Sequence, residues 1–480
     1  MNKRTKKTKV IATLGPASSD KETLLELIKA GADVFRINFS HADYDLVKRN
    51  VDLIRELNEE YGCNTSILGD LQGPKLRVGV VKEGSYLNTG DVLTFTNEIC
   101  EGDSTKVYMT YEKFPQDVKV GERILIDDGK LVLEVIETNQ KDTVKAKTIQ
   151  GGPLSSKKGV NLPNTNVSLP ALTEKDIQDA KFMLDNEFDW IALSFVRHAQ
   201  DIIDLKKLIK SHSKSEFRTP IIAKIEKPEG VKNIDEILME CDGLMVARGD
   251  LGVEVPMEEV PVIQKKLVDK ARHYAKPVII ATQMMETMIT SLTPTRAEVN
   301  DVANNVLDGA DAVMLSGETS VGKYPVDVVK NMTKIIKNIE SSPLYNKRNE
   351  IIEKVTCVDD RFITDMVCLN AVKIAESTGA EAIITLTYSG YTAFQISAHR
   401  PNARIVVYSS NRRVITMLNL LWGVRAFYYD MNKSTDETVI QVNMLTHHYG
   451  YVEKGDFVVN LNAMPVYEGG KTNTLRLTTI

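Results

Sequence analysis

Nothing in this sequence approaches a membrane-spanning run. The apolar piece after the basic start MNKRTKKTKV breaks at Gly15 and Pro16, too short for a signal peptide, and no later stretch nears the roughly 20 apolar residues a bilayer demands. No membrane partner is expected, and the reading is a cytoplasmic chain. Cysteine is scarce as well: Cys63, Cys100, Cys241, Cys357 and Cys368 are odd in number and scattered. That excludes a disulfide framework, and the absence of paired spacing excludes a zinc site. Charge of one sign is also missing, with 60 Lys and Arg interleaved among 65 Asp and Glu for a net charge of −5. No basic face stands out, so no nucleic-acid partner is expected, and any anionic ligand must be met by a local cluster of cations.

What is present is length and rhythm. A chain of 480 residues exceeds one ordinary core, so about two to four domains are expected. From residue 10 a unit recurs: short apolar strand, loop, amphipathic helix, strand. KVIATLG, DVFRINFS, TSILGD, DWIALSF, PIIAKIE, GLMVARGD, PVIIAT and AVMLSG are the strand candidates. Between them lie helix-period segments such as SDKETLLELIKAG and RAEVNDVANNVLDG, opened by Ser, Thr or Asp and closed by Gly. The fold class is α/β, and eight strand-then-helix units read as a closed (β/α)8 TIM barrel, whose site is built at the carboxyl ends of the strands. The rhythm breaks between about residues 71 and 169, where VLTFTN and ERILIDDGKLVLEVIE alternate like hairpins. The expected domains are a catalytic barrel (1–70 and 170–345), an inserted β-barrel lid (71–169) hanging over the mouth, and, after a polar link near 341–360, a C-terminal α/β domain (346–480) for regulation or assembly.

Charge gathers at the strand tips. Strand alternation would put Lys224 and Glu226 on one face, Arg248 and Asp250 on one face of the next strand, Arg36, Asn38 and Ser40 together on the second, and Ser316 with Glu318 on the eighth. Asp70 ends the third strand and Thr282 the seventh. Two carboxylates beside cations can hold a small hard divalent ion such as Mg2+. Strand-end ion pairs are the alternative reading. Gly317 to Lys323 has the spacing of a phosphate-binding Walker loop, but Tyr324 stands where that loop needs Ser or Thr, and an internal acid would repel phosphate.

VFRINFSH, AKIEKPEG, LMVARGDLGVEVP, IIATQMMETMI, PTRAEVNDVANNVLDGADAVMLSGET and GKYP resemble the pyruvate kinase family, in order and spacing from Lys9 to the closing TNTLRL. The resemblance implies transfer of the phosphoryl group of phosphoenolpyruvate to ADP, giving pyruvate and ATP. It makes Glu226 and Asp250 ligands of the divalent ion (Mg2+, with Mn2+ possible). Lys224 is then the ammonium that neutralises the phosphoryl group and the enolate. The turn Ala247, Arg248, Gly249 receives the substrate carboxylate, and Thr282 delivers the proton through water with Ser316 and Glu318. Arg36 and Arg77 face the phosphoryl group, and Asn38, His41 and Lys158 lie on the nucleotide side. Thr387, Ser389, Gly390 and Thr392 resemble the loop that binds a phosphorylated effector, and a homotetramer is implied. In much of the family a potassium ion sits near the positions of Asn38, Ser40, Asp70 and Leu71. Here Lys75 replaces the usual glutamate, which resembles the branch that does not require K+. Two rivals remain: a metal-dependent aldolase or lyase on a pyruvate-like substrate, and a catalytically silent binding or scaffold protein.

Overall fold

The computed structural model describes residues 6–213, 217–346, 361–430, 434–464 and 471–480. The polar link expected near 341–360 therefore lies largely outside the described residues. Eight parallel strands close into a barrel: β1 (Lys9–Thr13), β2 (Val34–Asn38), β3 (Ser66–Asp70), β4 (Trp190–Leu193), β5 (Ile221–Ile225), β6 (Gly243–Ala247), β7 (Val278–Ala281) and β8 (Ala312–Leu315). Their residues are almost all buried, as a sheet covered on both faces by crossover helices requires. The helices begin where the sequence places caps. Asp20 accepts from the Thr23 amide, and Thr173 and Thr295 form capping boxes with Asp176 and Glu298.

Between β3 and β4 the chain leaves the barrel and forms a six-stranded sheet with its own apolar core around Phe95, Phe114 and Ile124. The segment from Arg77 bridges to Gly159 beside one edge strand and, through Val78, to Met109 beside the other. The sheet thereby curls into the barrel-like lid that the alternating pattern implies. Asp127, Asp128 and Gly129 all take positive φ at the hairpin, where an Asp-Gly turn was expected. Among the described residues, no helix is long and apolar enough to cross a membrane.

The C-terminal segment forms a five-stranded sheet, four strands parallel and the last, Thr474–Thr479, antiparallel at the edge. The sequence reading sets this part apart as a domain for regulation or assembly, but it shares one continuous core with the barrel, with Ile383, Ile405 and Trp422 packed in the same cluster as the barrel strands. The contacts run to the amino ends of the strands. Lys9 donates to the Val424 carbonyl, Trp190 Nε1 to the Met417 carbonyl, Thr416 Oγ1 to Asp189, and Arg400 pairs with Asp311 just before β8. This sheet closes the floor of the barrel and leaves the opposite end free for chemistry.

His399 sits in that floor, 7 % exposed, with Nδ1 lacking a hydrogen-bond partner among the described residues. Burial, helped by the nearby Arg272 and Lys373 charges, pushes its pKa down from 6.5 to about 4. Above pH 6.5 both folded and unfolded chains carry a neutral ring, so the contribution is full there. Below it the unfolded chain binds a proton that the folded chain refuses, and stability falls until about pH 4. The expected loss between pH 7 and pH 5 is about 2 kcal/mol. Denaturant midpoints at the two pH values check it: His399→Leu should remove that part of the decline, and an equal decline in both proteins would refute it.

Candidate active site

The carboxyl ends of β2, β3, β4 and β5 bring Arg36, Asp70, Ser194, Lys224 and Glu226 together. Lys224 Nζ lies 3.1 Å from Asp70 Oδ1, 3.0 Å from Glu226 Oε1 and 2.6 Å from Ser194 Oγ. Burial alone would lower an ammonium pKa, but the Asp70 and Glu226 carboxylates outweigh it and hold Lys224 above the ordinary lysine range. Asp70 is buried too, and Lys224 with Arg36 keeps it ionised below the usual carboxylate range. Arg36 reaches its other oxygen, with Nε and Nη2 both 2.7 Å from Oδ2.

Glu226 behaves differently although it shares Lys224. Burial, reinforced by the neighbouring Asp250 carboxylate, raises its pKa, because the one ammonium is divided between two acids. Its Oε2 is fixed by the Phe195 amide at 2.8 Å. Asp70, Glu226 and Asp250 carry one more negative charge than Lys224 and Arg36 supply. A pair of hard oxygen donors with surplus negative charge fits a divalent ion such as Mg2+ or Mn2+. Among the described residues no cluster of three or more His, Cys, Asp or Glu forms a metal cage, so such an ion would draw its remaining ligands from water or substrate.

Two expectations from strand alternation need correction. β6 ends at Ala247, and Arg248 to Glu254 is a short helix, so Arg248 and Asp250 do not share a strand face. With roughly 100° between successive helical residues, Arg248 turns away from Lys224. Its guanidinium grips Asp301 at 2.7 and 2.8 Å and donates to the Thr282 carbonyl at 2.8 Å. Arg248 therefore braces the loop after β7, where Thr282 and Gln283 both have positive φ, a strained pair that needs outside support. Ser316 and Glu318 likewise lie beyond β8, Glu318 accepting from the Ser316 amide at 2.6 Å and the Met285 amide at 3.2 Å.

Thr282 Oγ1 accepts from the Gly249 amide at 2.8 Å and donates to the Ala281 carbonyl at 2.6 Å. A Cβ on Gly249 would stand 3.2 Å from that hydroxyl, which is why glycine serves at this turn. Ser316 Oγ is buried with no partner among the described residues. No hydrogen bond among the described residues joins Thr282 to Ser316 or Glu318, so the expected relay is not a direct chain.

The nucleotide-side candidates are dispersed. Asn38 is exposed and caps the turn at Ser40. Arg77 donates to the Lys157 carbonyl and Lys158 pairs with Asp127, both within the lid. His41 ends the short helical turn after β2, and its side chain lies outside the described residues. Lys75 is exposed on a cleft lined also by Asp128, Arg248 and Asp250. At the monovalent positions, Asp70 is occupied by the two cations, and the Leu71 carbonyl accepts from Ser194 at 2.7 Å. In the C-terminal sheet, Thr387 caps the Gly390 amide and Thr392 meets Thr472 in the interior, while Ser389 faces outward. Gly390, with φ +89°, makes the turn.

Sequence reasoning passed over Ser194, Asp301, Thr13 behind Arg36 at 3.1 Å, and Glu254, which Asn161 of the lid and Lys227 both reach. Ser194 carried a legible signal, since it follows β4 as the other polar tips follow their strands.

A closed barrel whose mouth gathers an ammonium, an arginine and a pair of acids over a deep cleft defines an enzyme that stabilises negative charge in motion. Residues 5–329 match the family model for the pyruvate kinase barrel domain, and residues 365–478 that for the pyruvate kinase alpha/beta domain. A pyruvate kinase of Mycobacterium intracellulare is 41 % identical over 98 % of this chain and 97 % of its own. One from Geobacillus stearothermophilus is 41 % identical over 98 % of this chain and 80 % of its own. A crystal structure of a pyruvate kinase from Cryptosporidium parvum superposes with a TM-score of 0.91 at 33 % identity, covering 99 % of this chain and 96 % of the other. The chain belongs to the pyruvate kinase family and is a phosphotransferase. The aldolase or lyase alternative gains no support from these matches.

Proposed function

We propose that this enzyme transfers the phosphoryl group of phosphoenolpyruvate to ADP, yielding pyruvate and ATP as the final step of glycolysis, with Lys224 as the principal catalytic residue. The observation that carries the reading is the Lys224 ammonium, buried, charged and seated between Asp70 and Glu226 at the barrel mouth. The transferring phosphoryl group passes through a loose state with charge spread over its oxygens, and the departing oxygen becomes an enolate. A preorganised cation serves both. Glu226 and Asp250 would hold Mg2+ or Mn2+, which when bound polarises the phosphoryl and enolate oxygens.

The chain's own groups do the rest. Arg36, fixed by Asp70 and Thr13, faces the phosphoryl group, and Arg77 meets it from the lid. The turn from Ala247 to Asp250 takes the substrate carboxylate. Thr282, its hydroxyl aligned by Gly249, orients the water that protonates the enol carbon, with Ser316 beside it. Asn38, His41 and Lys158 line the nucleotide side, and closure of the lid excludes water. The loop with Thr387, Ser389, Gly390 and Thr392 receives the phosphate of a small-molecule effector in a cytoplasmic homotetramer.

A coupled assay of ADP-dependent pyruvate formation with Mg2+ tests the reaction, and no turnover above background would sink it. The same assay run without potassium is expected to give near-full activity. The Asp70 charge is already paired with Arg36 and Lys224, and Lys75 supplies a fixed positive charge at the cleft. A strict requirement for K+ would overturn the assignment of that role to Lys75.

A further inference from the structure

We propose that Ser194 is a positioning residue that sets the direction of the Lys224 ammonium and ties it to the stalk of the lid. The inference rests on the catalytic reading of Lys224 given above. An ammonium group has three hydrogens and no acceptor, and here it lies within ion-pair distance of Asp70 Oδ1 and Glu226 Oε1 and donates a hydrogen bond to Ser194 Oγ. The carboxylates attract a point charge from a broad range of directions. The serine is different. It is 1 % exposed, and its own hydrogen is committed to the Leu71 carbonyl at 2.7 Å, so its oxygen can face Nζ only as an acceptor and along one narrow direction. It is also the shortest of the three contacts, at 2.6 Å.

The other end of the serine explains why the position matters. Leu71 is the first residue beyond β3 and begins the path into the lid, its amide bound to the Ala192 carbonyl at 3.0 Å. The stalk is pressed against the same place: Gly73 has φ +72°, and a Cβ there would lie 2.7 Å from the Phe195 ring and 3.0 Å from Ser194 Cβ. The chain Lys224 Nζ, Ser194 Oγ, Leu71 O therefore refers the catalytic charge to the segment that carries the lid. Carboxylates alone would hold the charge in the site without fixing it relative to the phosphoryl group that the lid encloses.

The test is Ser194→Ala, compared with Ser194→Thr and with Lys224→Met. Ser194→Ala is expected to lower kcat by about 10- to 100-fold, as loss of an orienting partner does, while KM for phosphoenolpyruvate moves far less. Thermal unfolding of each variant confirms that it is folded. A second readout needs no turnover: the nitrogen-15 ammonium resonance of Lys224, assigned by its absence from Lys224→Met, should broaden or vanish in Ser194→Ala through faster exchange with water. Ser194→Thr keeps the hydroxyl and should recover most of kcat if it folds. An unchanged kcat and an unchanged resonance in Ser194→Ala would overturn the proposal, as would a loss confined to KM. If Lys224→Met is itself fully active, the catalytic reading fails instead, and the two failures are told apart.

Discussion

Lys224→Met is expected to lower kcat for phosphoryl transfer by on the order of 10³-fold, about 4 kcal/mol of barrier. Methionine keeps an unbranched, flexible stem of similar reach, so the substitution removes charge and donors more than volume. The magnitude follows from where the charge sits. Lys224 is 9 % exposed, so little water screens it, and two carboxylates keep it ionised at any working pH. A positive group held in place before the reaction costs no reorganisation when the enolate forms. The substitution also leaves Asp70 with Arg36 alone and Glu226 with no ammonium, so some loss of stability is expected, and activity must be reported per folded molecule. Lys224→Arg keeps the charge but replaces a compact ammonium by a wide planar fork. It should recover only part of the rate. Parent-like turnover in folded Lys224→Met would refute the electrostatic account.

The barrel was legible because each of its strands is a buried apolar run with a polar tip, and because the caps at Asp20, Thr173 and Thr295 stand where the helices begin. The lid was legible from its alternation and the Asp-Gly turn. Lys224, Glu226, Asp70 and Arg36 were all named from strand ends, and they meet. What failed was the assumption that the strand continues to the last polar residue. β6 stops at Ala247, and a helical step sends Arg248 to Asp301 while Asp250 stays near enough for its charge to act on Lys224 and Glu226. Alternation could not report that change of period, because the single Gly249 weakens a strand without ending it outright. Partners contributed by other strands were also invisible. That Ser194 accepts from Lys224, or that Asp301 holds Arg248, depends on the order and stagger of strands in the closed barrel. The C-terminal sheet was recognised as an α/β unit, but its shared core with the barrel floor depends on buried contacts between residues hundreds of positions apart.

Arg400→Met is expected to destabilise the protein by about 3 to 5 kcal/mol, the usual cost of removing one partner from a buried ion pair. Arg400 is 4 % exposed and Asp311 2 %. The guanidinium meets both Asp311 oxygens, at 3.1 and 2.7 Å, and donates to the Ser397 and Gly309 carbonyls. It also lies over the Trp422 ring, 5.0 Å from its centroid. Asp311 in turn accepts from the amides of Val278 and Trp422, so it binds β7 of the barrel to the C-terminal segment. Without Arg400 those two amides and the more distant Arg272 charge must carry a buried carboxylate that has lost its paired cation. The stability lost is therefore mostly the cost of the stranded carboxylate rather than the worth of the pair. That distinction has its own test: adding Asp311→Asn, which removes the charge and keeps the shape, should recover part of the loss. Because the pair lies at the floor and Lys224 at the mouth, kcat per folded molecule in Arg400→Met should remain near the parent value. Denaturant midpoints for the parent, the two single variants and the double variant measure the coupling. A loss under about 1 kcal/mol in Arg400→Met would mean that water reaches Asp311 and that the floor is not closed in solution.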